Sequence, residues 1–471
     1  MSDSLVVQTA KPAARCPRAN VHKAEAPKRA ANVQENTVSA TTTDNLTALP
    51  VDDAVTRRAF RKAIVRLVPI LMVAFILNYI DRTNVGFAAI SMNHDIGLTN
   101  TQFGWGAGLL FIGYSGFELP SCRIMYIVGA RRWLTRIMIT WGIVSALTAL
   151  VAGPQSYYGM RFLLGVAEAG FTPGGMFLLA CWFPAYYRSR ILSWFQMSVV
   201  LASTVSGPLS VAALQLNGLL GLAGWQWLFI AEGVPAAAVG FALLYLLSDR
   251  PEEASWLTPA ERTAIVQALA SEKRIRPVHS FWASMRDWRV LMLAGIQFGF
   301  TIGSYGVAIF LPLILKGHDL SATAIGWLAG IPYLFACVAM ALWSGHVDRT
   351  GNRTGNLILT CLVGAVGLVT AVLFSSFVIS FIGVCVATIG IAAARGIFWS
   401  IPPRFLAGLG SAGGLAFINT IGALGGFFGP AVMGWLKDVT GSFNAGLLIM
   451  AGLIALSAVL TLLLRITLKQ E

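Results

Sequence analysis

From about residue 67 to the C-terminus the chain repeats one feature twelve times: an apolar run long enough for about 20 residues of helix. The runs are 67–90, 103–124, 133–152, 157–181, 191–213, 226–247, 290–312, 324–345, 357–376, 378–400, 412–433 and 445–466. The ninth and tenth run together, and Ser375-Ser376 marks the expected turn between them. Only 12% of the 471 residues are charged, against about 25% in an ordinary soluble domain, so most of the chain must face lipid. The 48 glycines and 14 tryptophans fit the same environment. The expected fold class is an all-α membrane protein with twelve transmembrane helices, arranged as two six-helix pseudo-symmetric bundles.

The formal net charge of +13 would point to nucleic acid in a soluble protein. Here the basic residues gather in alternate loops: Arg131, Arg132 and Arg136; Arg188 and Arg190; Arg349 and Arg353; and Arg404. The intervening loops hold Lys316 and Lys437. This bias places both termini in the cytoplasm of a multi-pass protein of the cell inner (plasma) membrane, with no nucleic-acid partner. The six cysteines show no CxxC spacing and read as small hydrophobes, with no metal site. Residues 1–56 are polar and lack the apolar core of roughly 7–15 residues that a signal peptide needs; they read as a disordered cytoplasmic tail. A charged linker, 248–288, separates a bundle at 57–247 from one at 289–471. It holds a short helix with Thr258 as N-cap, Pro259 at its first position and Glu261 three residues after the cap.

Against this apolar background a few charges stand out. Asp81 and Arg82 are neighbours in the first run, within Asn78-Tyr79-Ile80-Asp81-Arg82-Thr83-Asn84. Each costs roughly 2.5–3.5 kcal/mol at a helix centre. Either they neutralise each other or cap a short helix at the interface, or they form a site for an ion or charged substrate, which is the favoured reading. The fourth run holds Arg161 and Glu168, seven residues apart. That spacing puts them on one helix face, about 10.5 Å apart along the axis, and directs both into the bundle. When all four are ionised their charges cancel. A carboxylate entering such a pocket adds an uncompensated negative charge, and a proton on either acid offsets it. Anion and proton therefore bind with positive coupling.

The halves also echo each other. Gly129-Ala130-Arg131-Arg132 follows the second run, and Gly345-His346-Val347-Asp348-Arg349-Thr350-Gly351-Asn352-Arg353 follows the eighth. Transporters often carry such internal repeats, with the substrate site between them at the midplane. The layout and the Gly-x-x-Asp-Arg-x-Gly-x-Arg loop resemble the major facilitator superfamily. Several stretches resemble its anion:cation symporter branch: Asn78-Tyr79-Ile80-Asp81-Arg82-Thr83-Asn84, Phe111-Ile112-Gly113-Tyr114, Arg161-Phe162-Leu163-Leu164-Gly165 through Glu168, Phe398-Trp399-Ser400-Ile401-Pro402, and Asn419-Thr420-Ile421-Gly422. One departure is Arg123-Ile124-Met125-Tyr126, where the superfamily's loop carries an acid.

The resemblance implies roles for residues of this sequence. Arg82 and Arg161 would engage a substrate carboxylate, for which the guanidinium's two-donor fork is suited. Asp81 and Glu168 would be the proton-coupling pair. Tyr79 and Tyr114 would line the pocket, with Trp399, Ser400 and Asn419 facing it from the second half; the aromatic residues read equally well as packing. Gly345, Asp348, Arg349, Gly351 and Arg353, with Arg131 and Arg132, would form the gating loops. Arg395, a third cation within a run, either snorkels to the interface or reads the distal end of the substrate. Gln196, Ser198, Gln297, Thr301, Ser304 and Tyr305 could meet substrate hydroxyls or bond their own backbone.

No GxxxxGK[ST], HExxH or GxSxG motif occurs, which argues against ATP-driven pumping and against an enzyme, and no cofactor is expected. The expectation is a monomeric, proton-coupled secondary transporter that imports a small organic anion (a sugar acid, tartrate or related carboxylate) by alternating access. The alternatives are a transporter of an aromatic carboxylate such as phthalate or hydroxyphenylacetate, and a transporter-like membrane sensor of a carboxylate.

Overall fold

Each apolar run can close its backbone hydrogen bonds only upon itself, and each becomes helix. The computed structural model describes residues 54–271, 286–402 and 408–470. Most of the expected tail, the later part of the linker and Arg404 lie outside the described residues. The helices are α1 (Ala54–Asp95), α2 (Asn100–Val128), α3 (Ala130–Leu147), α4 (Pro154–Glu168), α5 (Phe171–Trp182), α6 (Ala185–Leu214), α7 (Gly224–Leu246) and α8 (Pro259–Ala270). After the linker come α9 (Trp288–Lys316), α10 (Ala322–Thr350), α11 (Arg353–Leu373), α12 (Phe377–Phe398), α13 (Gly408–Thr440) and α14 (Asn444–Gln470).

Among the described residues eleven stretches are long and apolar enough to cross a membrane, with α4 and α5 counted as one. The 29-residue α2 completes the twelve expected runs; its glycines and its Ser115, Glu118 and Ser121 dilute its hydropathy. The turn between the ninth and tenth runs falls where the serines mark it, between Leu373 and Phe377. One run departs from expectation. The fourth is not a single helix but breaks at Ala169-Gly170, where Gly170 takes φ +90°, a left-handed conformation that glycine adopts without steric cost. The break leaves Glu168 at the very end of α4.

Packing repeats between the halves. In the first, α3 pairs with α7, α2 with α4, and α1 with α6 and α7. In the second, α11 pairs with α14, α10 with α12, and α9 with α13 and α14. These are the same pairings by order of span. The halves meet through α2 with α13, α6 with α10, and α1 with α9. Backbones come very close there: a Cβ at Gly207 would lie 2.1 Å from the Gly326 carbonyl oxygen, so only glycine fits.

The linker helix α8 forms as its sequence predicts. The Thr258 hydroxyl accepts from Glu261 N at 3.3 Å, and Glu261 Oε2 accepts from Thr258 N at 3.0 Å. Lys62 of α1 holds the same carboxylate at 2.7 Å. The Lys62 contact and the cap hold the Glu261 carboxyl below the usual carboxylate range.

Several polar contacts that join the halves gather at the side opposite the chain termini. Asp438, near the end of α13, caps the start of α2: it accepts from Thr101 N at 2.7 Å, Thr101 Oγ1 at 2.6 Å, Asn100 Nδ2 at 2.8 Å and Asn100 N at 3.3 Å. The first N–H groups of a helix lack partners and favour an anion, so this carboxylate satisfies one half's helix end from the other half. Lys316 Nζ donates to Ile90 O at 2.6 Å, and Gln215 Nε2 to Thr323 Oγ1 at 3.3 Å. Asp438→Ala is expected to loosen this closed end. Spin labels at the exposed positions Trp105 of α2 and Val439 of α13 should then report a longer distance population by double electron–electron resonance. An unchanged distribution would show that Asp438 is not what holds the end shut.

Candidate substrate site

Neighbouring residues on a helix point about 100° apart, and this separates Asp81 from Arg82. They do not pair with each other; each turns to a different partner of α4. Arg82 Nε donates to Glu168 Oε1, and the Arg161 cation acts on Asp81 through space. One bonded acid–base pair thus crosses between α1 and α4, and a second acid and base act on each other there without a bond. Asp81, Glu168 and Arg161 are 2%, 0% and 0% exposed.

Around Arg82 the site is built from both halves. Its guanidinium lies 4.7 Å from the centroid of the Tyr114 ring, a favourable cation–π distance. Asn78 Nδ2 donates to Glu168 Oε1 at 2.6 Å. From α9, Tyr305 interacts with Arg82, and its ring lies 4.4 Å from that of Phe111 and 6.5 Å from that of Tyr79. Arg395 of α12 donates to Ser304 Oγ at 2.9 Å and also interacts with Tyr79, Tyr305 and Tyr333. It does not snorkel; its charge is directed toward the first half. A cavity of about 270 Å³, counted with its open mouth, lies between the halves on the side away from the termini. Thr83, Phe87, Ser203, Ser206, Leu311 and Tyr333 contribute to its wall.

Asp81 belongs to a second, more enclosed cluster. It accepts from Trp141 Nε1 at 2.7 Å, from Asn84 Nδ2 at 3.1 Å and from Ser145 Oγ of α3. Asn84 also donates to Glu232 Oε2 of α7 at 2.5 Å, and Ser210 Oγ of α6 donates to Glu232 Oε1 at 3.2 Å. One amide therefore bridges two carboxylates. Arg161 borders this cluster with all three guanidinium nitrogens buried and without a hydrogen-bond partner among the described residues.

The structure thus brings together Tyr79, Arg82, Tyr114, Glu168, Arg395 and, through Glu118, Asn419. It does not bring in Ser400, whose hydroxyl donates to Ile397 O at 2.6 Å while its carbonyl accepts from Arg353 at 3.3 Å. A serine just past a helix end satisfies the orphan carbonyls there. Trp399 caps the same end of α12, half-buried, with its ring 5.4 Å from that of Phe398. Of the expected hydroxyl and amide residues, Tyr305 and Ser304 reach the site, while Ser198 Oγ and Gln297 Oε1 are buried without partners among the described residues.

The loop residues lie apart from these charges. Arg131 Nε donates to Leu244 O at 2.6 Å and its N–H to Asp249 at 2.7 Å. Asp249, at the start of the linker, is thus the acid that meets this loop. Gly351 closes α10 at φ +64°; Gly345, Arg349 and Arg132 are exposed or open, and the Asp348 side chain lies outside the described residues.

Two acids escape the sequence reading: Glu118 of α2 and Glu232 of α7. Both interrupt apolar runs, and the cost rule that singles out Asp81 applies to them equally. With them the inner bundle holds Asp81, Glu118, Glu168 and Glu232 against Arg82, Arg161 and Arg395, one negative charge in excess rather than the balance expected from four residues. Glu232→Ala would leave the Asn84 amide without one acceptor. Its cost is expected near the 1–3 kcal/mol of an unsatisfied buried group, roughly. A lowered unfolding temperature in detergent, largely restored in Glu232→Gln, would check this.

The Major Facilitator Superfamily profile matches residues 71–419 and, in a second match, 293–470. A protein of Agrobacterium vitis provisionally named a tartrate transporter is 46% identical over 409 residues, covering 86% of this chain and 91% of the relative. A quinolone resistance transporter of Acinetobacter baumannii is 35% identical over 428 residues, covering 88% and 97%. Among solved structures, the xylose transporter XylE from E. coli, in a partially occluded inward open conformation, superposes with a TM-score of 0.67 at 14% identity, covering 84% of this chain and 98% of that one.

Proposed function

The chain belongs to the major facilitator superfamily of membrane transporters, and from that premise we propose that it imports a short hydroxy-dicarboxylate of the tartrate type together with protons. The reading rests on one observation above all. Arg82 and Arg395, from opposite halves, both interact with Tyr305. Two cations from opposite halves that act on one tyrosine suit a short dianion, one carboxylate to each half, because the guanidinium fork matches a carboxylate's two oxygens. The name of the Agrobacterium vitis relative supports the same substrate class.

Proton coupling follows from charge. The inner bundle already carries one acid more than its arginines neutralise. A dianion entering it would raise the excess to three, and each proton taken up removes one. Arg82 and Glu168 are bonded to each other, so a substrate carboxylate takes Arg82 from Glu168, and a proton on Glu168 releases it. In this reading Arg82, Arg395, Tyr79, Tyr114 and Asn419 bind substrate, and Arg161 supports Asp81 or meets the first carboxylate as it moves inward. Asp81 and Glu168 carry protons. Residues 57–247 and 289–471 rock about the site, the termini are cytoplasmic, and the loops with Arg131, Arg132, Arg349 and Arg353 guard the cytoplasmic mouth of a plasma-membrane monomer.

Uptake of labelled tartrate into proteoliposomes under an inward proton gradient tests this, with galactonate, phthalate and xylose as competitors. Accumulation that tartrate blocks and xylose does not is the expected result; binding without accumulation would indicate a sensor. Arg82→Lys should lose binding, since an ammonium cannot offer the two-donor fork. Asp81→Asn should bind and exchange tartrate yet lose proton-driven accumulation; if both variants fail alike, the division of roles is wrong. Arg395→Gln should weaken dicarboxylate uptake at least tenfold more than monocarboxylate uptake. Equal losses would remove Arg395 from the reading of the second carboxylate.

A further inference from the structure

Glu118 of α2 has no role in the scheme above, yet it stands where the halves meet. It is 6% exposed. Asn419 Nδ2 of α13 donates to its Oε1 at 2.9 Å, and Tyr114 Oη, one turn earlier on α2, donates to the same oxygen at 3.4 Å. Its other oxygen, Oε2, is buried without a partner among the described residues. Arg82 of α1 acts on it through space.

The surrounding elements add few charges. Its own helix contributes Tyr114 and Cys122. From α4, Glu168 acts on Tyr114, and from α5 Thr172 acts on the same phenol. The helix α13 presents Asn419, which does not titrate. On α3, Trp133 bonds Ser121 of α2 and carries the Arg136 guanidinium over its ring. Arg82 is thus the cation that interacts with Glu118, and Arg82 is also held by Glu168.

Two carboxylates therefore claim the donors that the proposed function assigns to substrate: Glu168 on Arg82, and Glu118 on Asn419. A substrate carboxylate that reaches the Asn419 amide must stand against the Glu118 charge. A proton on Oε2 removes that charge while Oε1 remains an acceptor for Asn419, so the link between the halves survives. The atom with no bond to lose is the one free to take the proton.

Resting on the functional reading above, we propose that Glu118 is a further proton-carrying acid of the substrate site, taking one proton on Oε2 as a carboxylate substrate arrives beside Asn419 and returning it to water as the substrate leaves. Glu118 couples the second half to the proton, as Glu168 does the first.

The test uses purified full-length protein with tartrate as the probe. Tartrate affinity is measured across pH, and the proton-to-tartrate ratio is read from reversal potentials in proteoliposomes. In Glu118→Gln the ratio should fall by one proton and the affinity should lose a tenfold dependence per pH unit, while Glu118→Asp keeps the wild-type ratio and slope. Glu118→Gln with wild-type ratio and slope, or Glu118→Gln and Glu118→Asp behaving alike, overturns the proposal. Should Glu118→Gln not fold, Asn419→Ala decides. Without the amide, tartrate no longer sits against Glu118, so proton uptake per tartrate bound, followed with a pH indicator in weak buffer, should fall; uptake equal to wild type overturns the proposal. A wild-type protein that binds no carboxylate at any pH overturns the functional reading and this proposal together, whereas an unaltered Glu118→Gln overturns this proposal alone.

Discussion

The bond between Arg82 and Glu168 is the interaction on which the rest of the centre depends. It is buried, with side chains 10% and 0% exposed, and it is the point where α1 and α4 are held together inside an apolar bundle. Removing one member of such a pair leaves an isolated charge, commonly at a cost of about 3–5 kcal/mol. Replacing both by apolar residues could serve stability as well or better. A fold that needed only packing would have no use for this pair, so its presence speaks for a charged ligand and not for the bundle.

Magnitude decides how such a site can work. At an effective dielectric of about 20, two unit charges 4 Å apart interact by about 4 kcal/mol, which equals the free energy of moving a proton through roughly three pH units at about 1.36 kcal/mol each. An anion that approaches Glu168 or Glu118 at that range thus meets a repulsion comparable to the energy a proton can supply. If the effective dielectric were that of water, about 1 kcal/mol would remain and coupling would be weak. In the proposed scheme, burial of these acids within the bundle is what would make proton and anion interdependent.

Much of this was legible in the sequence, for identifiable reasons. Twelve runs became helices because length and apolarity leave a lipid-facing backbone no other way to satisfy itself, and the α8 cap was readable from Thr258, Pro259 and Glu261 because its bonds are local. Arg161 and Glu168 could be placed on one face by periodicity alone. What periodicity cannot show is which neighbour a charge meets. Asp81 and Arg82 look like a pair in sequence, and only the 100° between them sends one to Trp141 and Ser145 of α3 and the other to the cleft. Gly170 looks like a packing glycine until its positive φ breaks the fourth run. Ser400, placed in the pocket by family resemblance, is spent on its own helix end. Glu118 and Glu232 were hidden by no physical obscurity; each is a single acid within an apolar run, without the adjacent arginine that made Asp81 conspicuous.

Two of the contacts between the halves, both made by α2 and α13, differ in kind, and the difference bears on how the protein can alternate. At the side away from the termini, Asp438 accepts four hydrogen bonds from the start of α2, and nothing about substrate need change for that cap to hold or part. Nearer the other side, Asn419 and Glu118 join the same two helices through a carboxylate that also interacts with Arg82. Because α2 and α13 carry both contacts, they are levers with a substrate-independent clasp at one end and a charge-dependent one at the other. Neutralising Glu118 weakens a charge-assisted bond into an ordinary one, roughly halving its strength, while leaving the clasp at Asp438 untouched. A change of charge at the centre can therefore bias which end of these two helices holds, without either ligand having to reach the far end itself.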